Sequence, residues 1–88
     1  MRTPKHQINE IVEIIPNYGA VEYEGYKEND GIVVAIITKI IISKRGVYYI
    51  ADVGFEEKII YDTEEFEFEE NAEPDYSIHR SAGTFNEE

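Results

Sequence analysis

The 88-residue sequence predicts an all-β domain, and three observations lead there. The apolar runs are dominated by Ile and Val, whose branched Cβ loses χ1 freedom in a helix and suits a strand. Between those runs fall strong turn signals: Pro16-Asn17-Tyr18-Gly19, Asn29-Asp30-Gly31 and Lys44-Arg45-Gly46. Finally, Phe66-Glu67-Phe68-Glu69 alternates apolar with acidic, the period of a half-buried strand. A chain of this length makes one domain.

In chain order, residues 1–7 are polar, contain Pro4, and read as a flexible leader. Ile8, Ile11, Val12, Ile14 and Ile15 surround Glu10 and Glu13 in a first strand that Pro16 stops. Residues 17–30 read as a long loop holding Tyr18, Tyr23 and Tyr26, with Gly19 and Gly25 as hinges. The run Ile32 to Ser43 is continuously apolar enough to be buried on both faces. At about 3.3 Å per residue it would extend roughly 40 Å, so it must bend, and Thr38-Lys39 is the place for it.

Lys44-Arg45-Gly46 is a tight basic hairpin tip, and Val47 to Val53 is the returning strand. Residues 54–57 turn the chain into a short strand, Lys58 to Tyr61. Asp62-Thr63-Glu64-Glu65 reads as one helical turn capped by Asp62 or Thr63. Phe66 to Glu69 is the expected last strand, with phenylalanines inward and glutamates outward. Residues 71–88 read as an acidic, disordered tail, with one alternative: Tyr76 and Ile78 add a further strand or dock on the barrel.

Five short strands, a long loop after the first, tight hairpins in the middle and one helical turn before the last make an order that resembles SH3-like barrels. That superfamily includes SH3, Tudor and KOW-type modules. The likeness rests on Asp30-Gly31-Ile32-Val33, Tyr49-Ile50-Ala51-Asp52-Val53 and Thr63-Glu64-Glu65-Phe66, and covers residues 8–70. It implies a small five-stranded barrel, a scaffold that hosts unrelated functions. The chain lacks the tryptophan typical of a proline-binding SH3 groove, and its Ala20-Val21-Glu22-Tyr23-Glu24-Gly25-Tyr26 is a loose echo of the SH3 aromatic-acidic loop. Its size and acidity also resemble small phage and mobile-element proteins.

Charge is the strongest functional signal. Residues 1–55 carry six Lys/Arg against seven Asp/Glu, and residues 56–88 carry two against twelve, so net charges of −1 and −10 make up the total of −11. Such a chain does not wrap nucleic acid with its own lysines. Without cysteine it has no disulfide, no thiolate metal site and no cysteine nucleophile. No apolar stretch is long enough for a membrane span and no h-region follows Met1, so the expected address is cytoplasmic.

No catalytic constellation is evident. His6 and His79 both lie in segments expected to be flexible, and no phosphate loop, zincin pair or EF-hand pattern occurs. The expectation is a non-enzymatic binding module with no cofactor and no metal. Its first candidate surface is acidic: Glu56, Glu57, Asp62, Glu64, Glu65, Glu67, Glu69 and Glu70. On a strand, Glu65, Glu67 and Glu69 would project from one face about 6.6 Å apart. Such a row imitates nucleic-acid phosphates and would attract the basic groove of a DNA- or RNA-binding protein. Against this stands solubility: outward glutamates also keep strand edges from pairing. The second candidate surface is aromatic: Tyr18, Tyr23, Tyr26 and Tyr48 as a cage for a peptide or cationic side chain.

Overall fold

A computed structural model describes residues 3–16, 32–70, 72 and 74–85. Five strands, β1 (Glu10–Pro16), β2 (Val33–Ser43), β3 (Gly46–Asp52), β4 (Glu57–Ile60) and β5 (Tyr76–Thr84), form one antiparallel sheet in the order β4-β3-β2-β1-β5. The described residues contain no helix, hence none long and apolar enough to cross a membrane. The fold is all-β, as the Ile/Val runs predict.

The long β2 run stays one strand, and its irregularity falls where its length required a bend. The β2–β3 register slips between Ile37 and Lys39, leaving Thr38 as the extra residue. A bulge of this kind reverses the alternation of faces. Before it, Ala35 and Ile37 point into the core; after it, Ile40 faces the buried Tyr49 and Ile42 faces the buried Val47. The freed Thr38 hydroxyl donates to the Ile50 carbonyl at 3.1 Å.

The core is one face of the sheet: Val12 and Ile14 from β1, Ala35 and Ile37 from β2, Val47, Tyr49 and Ala51 from β3, and Ile60 from β4. The opposite face of β3 carries a second, aromatic cluster. Tyr48 packs on Tyr61 and Phe66 with centroids 5.6 and 5.9 Å apart, and Tyr61 and Phe66 each meet Phe68 at 4.9 and 4.8 Å. Both faces of the sheet therefore have something to bury, which is why its central strands read as nearly continuous apolar runs.

The C-terminal third departs from expectation. The last strand is not 66–69 but β5, and the residues read as a disordered tail supply it. Phe66 makes only an isolated bridge to Gly46, and its segment is spent covering Tyr48 and Tyr61. β5 pairs with β1 along its length, from Tyr76 opposite Pro16 to Thr84 opposite Glu10, with two register shifts. The expected helical turn at 62–65 is a single turn closed by a 2.8 Å bond from the Glu65 N–H to the Asp62 carbonyl. The two sheet edges approach at one point. There Tyr61 donates to the Tyr76 carbonyl at 3.3 Å and accepts from the Ile78 N–H at 2.8 Å, while the ladder itself stays open and does not close into a barrel.

Candidate functional site

The densest polar structure lies at the end of the sheet where residues 5–10 meet residues 62–65. The pivot is Tyr49. Its ring sits in the core with no exposure, and its hydroxyl emerges at the core's edge, where it donates to a Glu65 carboxylate oxygen and accepts from the His6 N–H at 3.4 Å. His6, 9% exposed, stands edge-on to the Tyr49 ring at 5.3 Å. Its Nδ1 is 2.7 Å from Glu10 Oε2 and its Nε2 is 3.0 Å from Asp62 Oδ2. The other oxygens are used too: Glu10 Oε1 accepts the Gln7 N–H at 2.8 Å, and Glu65 Oε2 accepts the Lys5 N–H at 2.7 Å.

With a carboxylate on each ring nitrogen, the imidazole is built to be a cation donating two charge-assisted bonds. Burial favours its neutral form, but the hydrogen bonds and charges of Glu10 and Asp62 outweigh burial and raise the His6 pKa above its ordinary 6.5. Glu10 and Asp62 move the opposite way. Burial would push them up, yet the His6 bond prevails with help from Ser81 and Gln7 at Glu10, and from the Glu64 N–H and Lys5 at Asp62. The Tyr49 phenol is driven well above its usual range by burial and then by the Glu65 carboxylate.

A His6 nitrogen and oxygens of Asp62 and Glu65 lie within 4.8 Å of one another, a spacing that suits a cation. Each is already satisfied from within the chain, however, and no buried side-chain polar atom among the described residues lacks a partner. What the arrangement does chemically is hold a proton and fasten the segment before β1.

The sequence-predicted acidic face is thus divided. Glu65 is 6% exposed and Asp62 is turned into the His6 cluster, so neither presents its charge outward. Glu64 is exposed and pairs with Lys5 at 2.7 Å; Glu69 is exposed and pairs with Arg45 at 2.9 Å. Glu67 and Glu70 are exposed. Glu56, paired with Lys58 at 3.1 Å, and Glu57 lie at the far end of β3, whose seven residues span about 20 Å. The row Glu65, Glu67, Glu69 does not exist as three outward carboxylates, because residues 64–70 are not a strand and Glu65 points in. Of the aromatic candidates, Tyr18, Tyr23 and Tyr26 lie outside the described residues, and Tyr48 belongs to the Tyr61–Phe66 cluster.

Sequence reasoning missed His6, which is held and buried rather than frayed. Its only local signal is Glu10 four residues on; the other partners lie 43 and 56 residues away. His79, by contrast, is exposed on β5. Comparison with protein families, with curated proteins and with solved structures finds no match to this chain.

Proposed function

We propose that the chain is a non-enzymatic protein-binding module on an open SH3-like barrel, and that its partner presents a basic surface. The fold reading is supported by a meander whose last strand returns to pair with the first, with Tyr61 approaching β5. The function reading rests on one observation, the anchoring of residues 64–70. Glu65, Phe66 and Phe68 fix this ribbon from inside, and two backbone bonds tie it to the β2–β3 tip: Val47 N–H to Glu65 carbonyl at 3.1 Å and Glu67 N–H to Arg45 carbonyl at 2.9 Å. Glu64, Glu67, Glu69 and Glu70 are left outward on a fixed backbone.

Carboxylates held in place cost a partner less ordering than carboxylates on a mobile tail. Lys5 and Arg45 pair with Glu64 and Glu69, but the chain has too few bases to neutralise its acids as a whole. Of its 8 Lys and Arg, Lys5, Arg45, Lys58 and Arg80 already sit in ion pairs against a total of 19 acids. The surplus field favours a positively charged partner and speeds encounter with it. The sharpest form of the proposal is imitation of a phosphate row, with a DNA- or RNA-binding protein as the partner.

The test compares wild type with Glu67→Lys/Glu69→Lys/Glu70→Lys, which spares the buried Glu65. Both baits are exposed at low salt to nuclease-treated lysate, and what is captured is challenged with nucleic acid. Capture of a nucleic-acid-binding protein by wild type alone, released by salt and by competing nucleic acid, supports the proposal. Identical capture by both baits overturns it.

A second reading has its own observation. Lys58 Nζ lies 5.6 Å from the Tyr76 ring centroid and 3.1 Å from Glu56, beside a groove of about 250 Å³ lined by Ile14, Val33, Val53 and Phe55. A carboxylate and an aromatic face around an ammonium form a site for a cationic side chain, which an incoming peptide lysine would take over from Lys58. Binding abolished by Glu56→Gln yet kept by the Glu67→Lys/Glu69→Lys/Glu70→Lys variant would favour this groove over the ribbon.

A further inference from the structure

The segment before β1 has no regular structure, yet backbone hydrogen bonds tie it down along its length. Backbone N–H groups of Lys5, His6 and Gln7 are held by Glu65, Tyr49 and Glu10 in turn. Asn9 continues the ties. It adopts a φ of 72°, a left-handed conformation that Asn tolerates better than most residues, donates to the Ile37 carbonyl at 2.8 Å and accepts from the Phe85 N–H at 2.7 Å. Two of these five bonds end on acidic side chains, and three carboxylates converge on one imidazole and one phenol.

We propose that His6 is a proton-operated latch: protonated and clamped between Glu10 and Asp62, it holds residues 3–9 across the end of the sheet, and its deprotonation releases them. The reason is electrostatic. With His6 charged, Glu10 on β1 and Asp62 and Glu65 in the turn after β4 stand against two cations, the imidazolium and the arm's own Lys5. Tyr49 on β3 and Ser81 on β5 supply the remaining donors. A neutral imidazole carries one N–H and can donate to Glu10 or to Asp62 but not to both. The carboxylate left facing a lone pair is then partly buried, short of a donor and close to two other acids, and the desolvation and repulsion fall on the arm.

The sign follows from where the proton is held. The folded protein raises the His6 pKa above 6.5, so the stabilisation is complete below that pH, where folded and unfolded chains both carry the proton. It is lost as pH rises through the folded-state value. Release would expose Asp62 and the ribbon's own Glu65, but the latch stands on its own geometry and does not depend on the binding proposal.

The decisive measurement is NMR titration of the full wild-type chain from pH 5 to 9, following the His6 ring and the protection factors of the Lys5, His6 and Gln7 amides. The spectrum has one other imidazole, the exposed His79. The expected result is a His6 titration above 6.5 and a loss of protection at residues 5–7 that tracks it, while β3 amides stay protected. A His6 that titrates at or below 6.5, or an arm whose protection is unchanged across the titration, overturns the latch. As a second arm, His6→Gln should lose the wild type's fall in thermal midpoint between pH 6 and 9. Should that variant fail to fold, the wild-type titration decides alone.

Discussion

The Tyr49 hydroxyl donates its hydrogen bond to Glu65, sixteen residues further along the chain, and so joins the floor of the core to the turn that follows β4. Glu65 is as buried as many apolar residues, and its neighbour Phe66 begins the aromatic cover on the other face of β3. One phenol therefore positions a segment that both closes the core and displays the acidic ribbon. Tyr49→Phe keeps the ring and its packing while removing the donor. The cost of leaving a buried carboxylate short of a hydrogen bond is about 1–3 kcal/mol, to be read from urea unfolding monitored by circular dichroism.

Gly46 makes the same junction possible from the other side. Its φ is +135°, and a Cβ there would overlap the Glu65 carbonyl oxygen and lie 2.9 Å from the Phe66 Cα. Backbone atoms cannot swing aside as a side-chain tip can. Gly46→Ala should destabilise the fold by about 2–4 kcal/mol from strain and overpacking combined. It should also weaken protection of the Val47 amide, which bonds to Glu65.

Removing residues 76–88 tests whether β5 is integral. The truncation uncovers the β1 edge from Glu10 to Pro16 and removes Tyr76 and Ile78, which pack against the core. A dispensable tail would leave the thermal midpoint unchanged. We expect instead the loss of the cooperative transition, seen in thermal melts followed by circular dichroism.

On the acid side the stability curve should fall as the same cluster loses its carboxylate charges. Burial opposes ionisation of Glu10 and Asp62, but their bonds to His6 and to nearby donors hold both below their ordinary values of 4.5 and 3.8. Their contribution is present above those values and is lost as pH drops through the lower folded-state ones. Melting from pH 5.5 to pH 2.5 should show this decline in wild type, and a shallower one in Asp62→Asn.

Phe55 is 85% exposed at the β3–β4 turn, beside the groove that holds Lys58. Phe55→Ser should leave folding stability within about 0.5 kcal/mol, since nothing buried is lost. Weaker partner capture by this variant, at unchanged salt sensitivity, would assign the contact to the groove rather than the ribbon.

Much of the sheet was legible in local chemistry. β1 to β4 follow runs of Ile, Val and Tyr with the hairpin tip at Lys44-Arg45, and the register shift in β2 falls at the Thr38-Lys39 pair where the length of the run led to a bend being expected. Each of these signals lies within a dozen residues and depends on side-chain branching, turn geometry or alternation. β5 gave a much weaker one. It is an edge strand with six of its nine residues exposed, and its apolar alternation is confined to Tyr76 and Ile78, the pair that offered a further strand as the alternative to a disordered tail. Phe66 and Phe68 alternate correctly for a strand, yet their burial is satisfied by stacking on Tyr61 rather than by pairing in a ladder.

The polar cluster lay further out of reach. Whether a glutamate is a solvated charge or a buried acceptor depends on what approaches it, and Glu65 meets Lys5 and Tyr49 from 60 and 16 residues away. Composition and period set the fold class, the strand runs and the excess of negative charge, because these follow from each residue's own chemistry and its nearest neighbours. Which acids face outward, that a leader histidine is clamped between two of them, and that a polar tail completes the sheet follow from chain closure. That closure brings distant segments within hydrogen-bonding range and makes the desolvation of each charge depend on its partners.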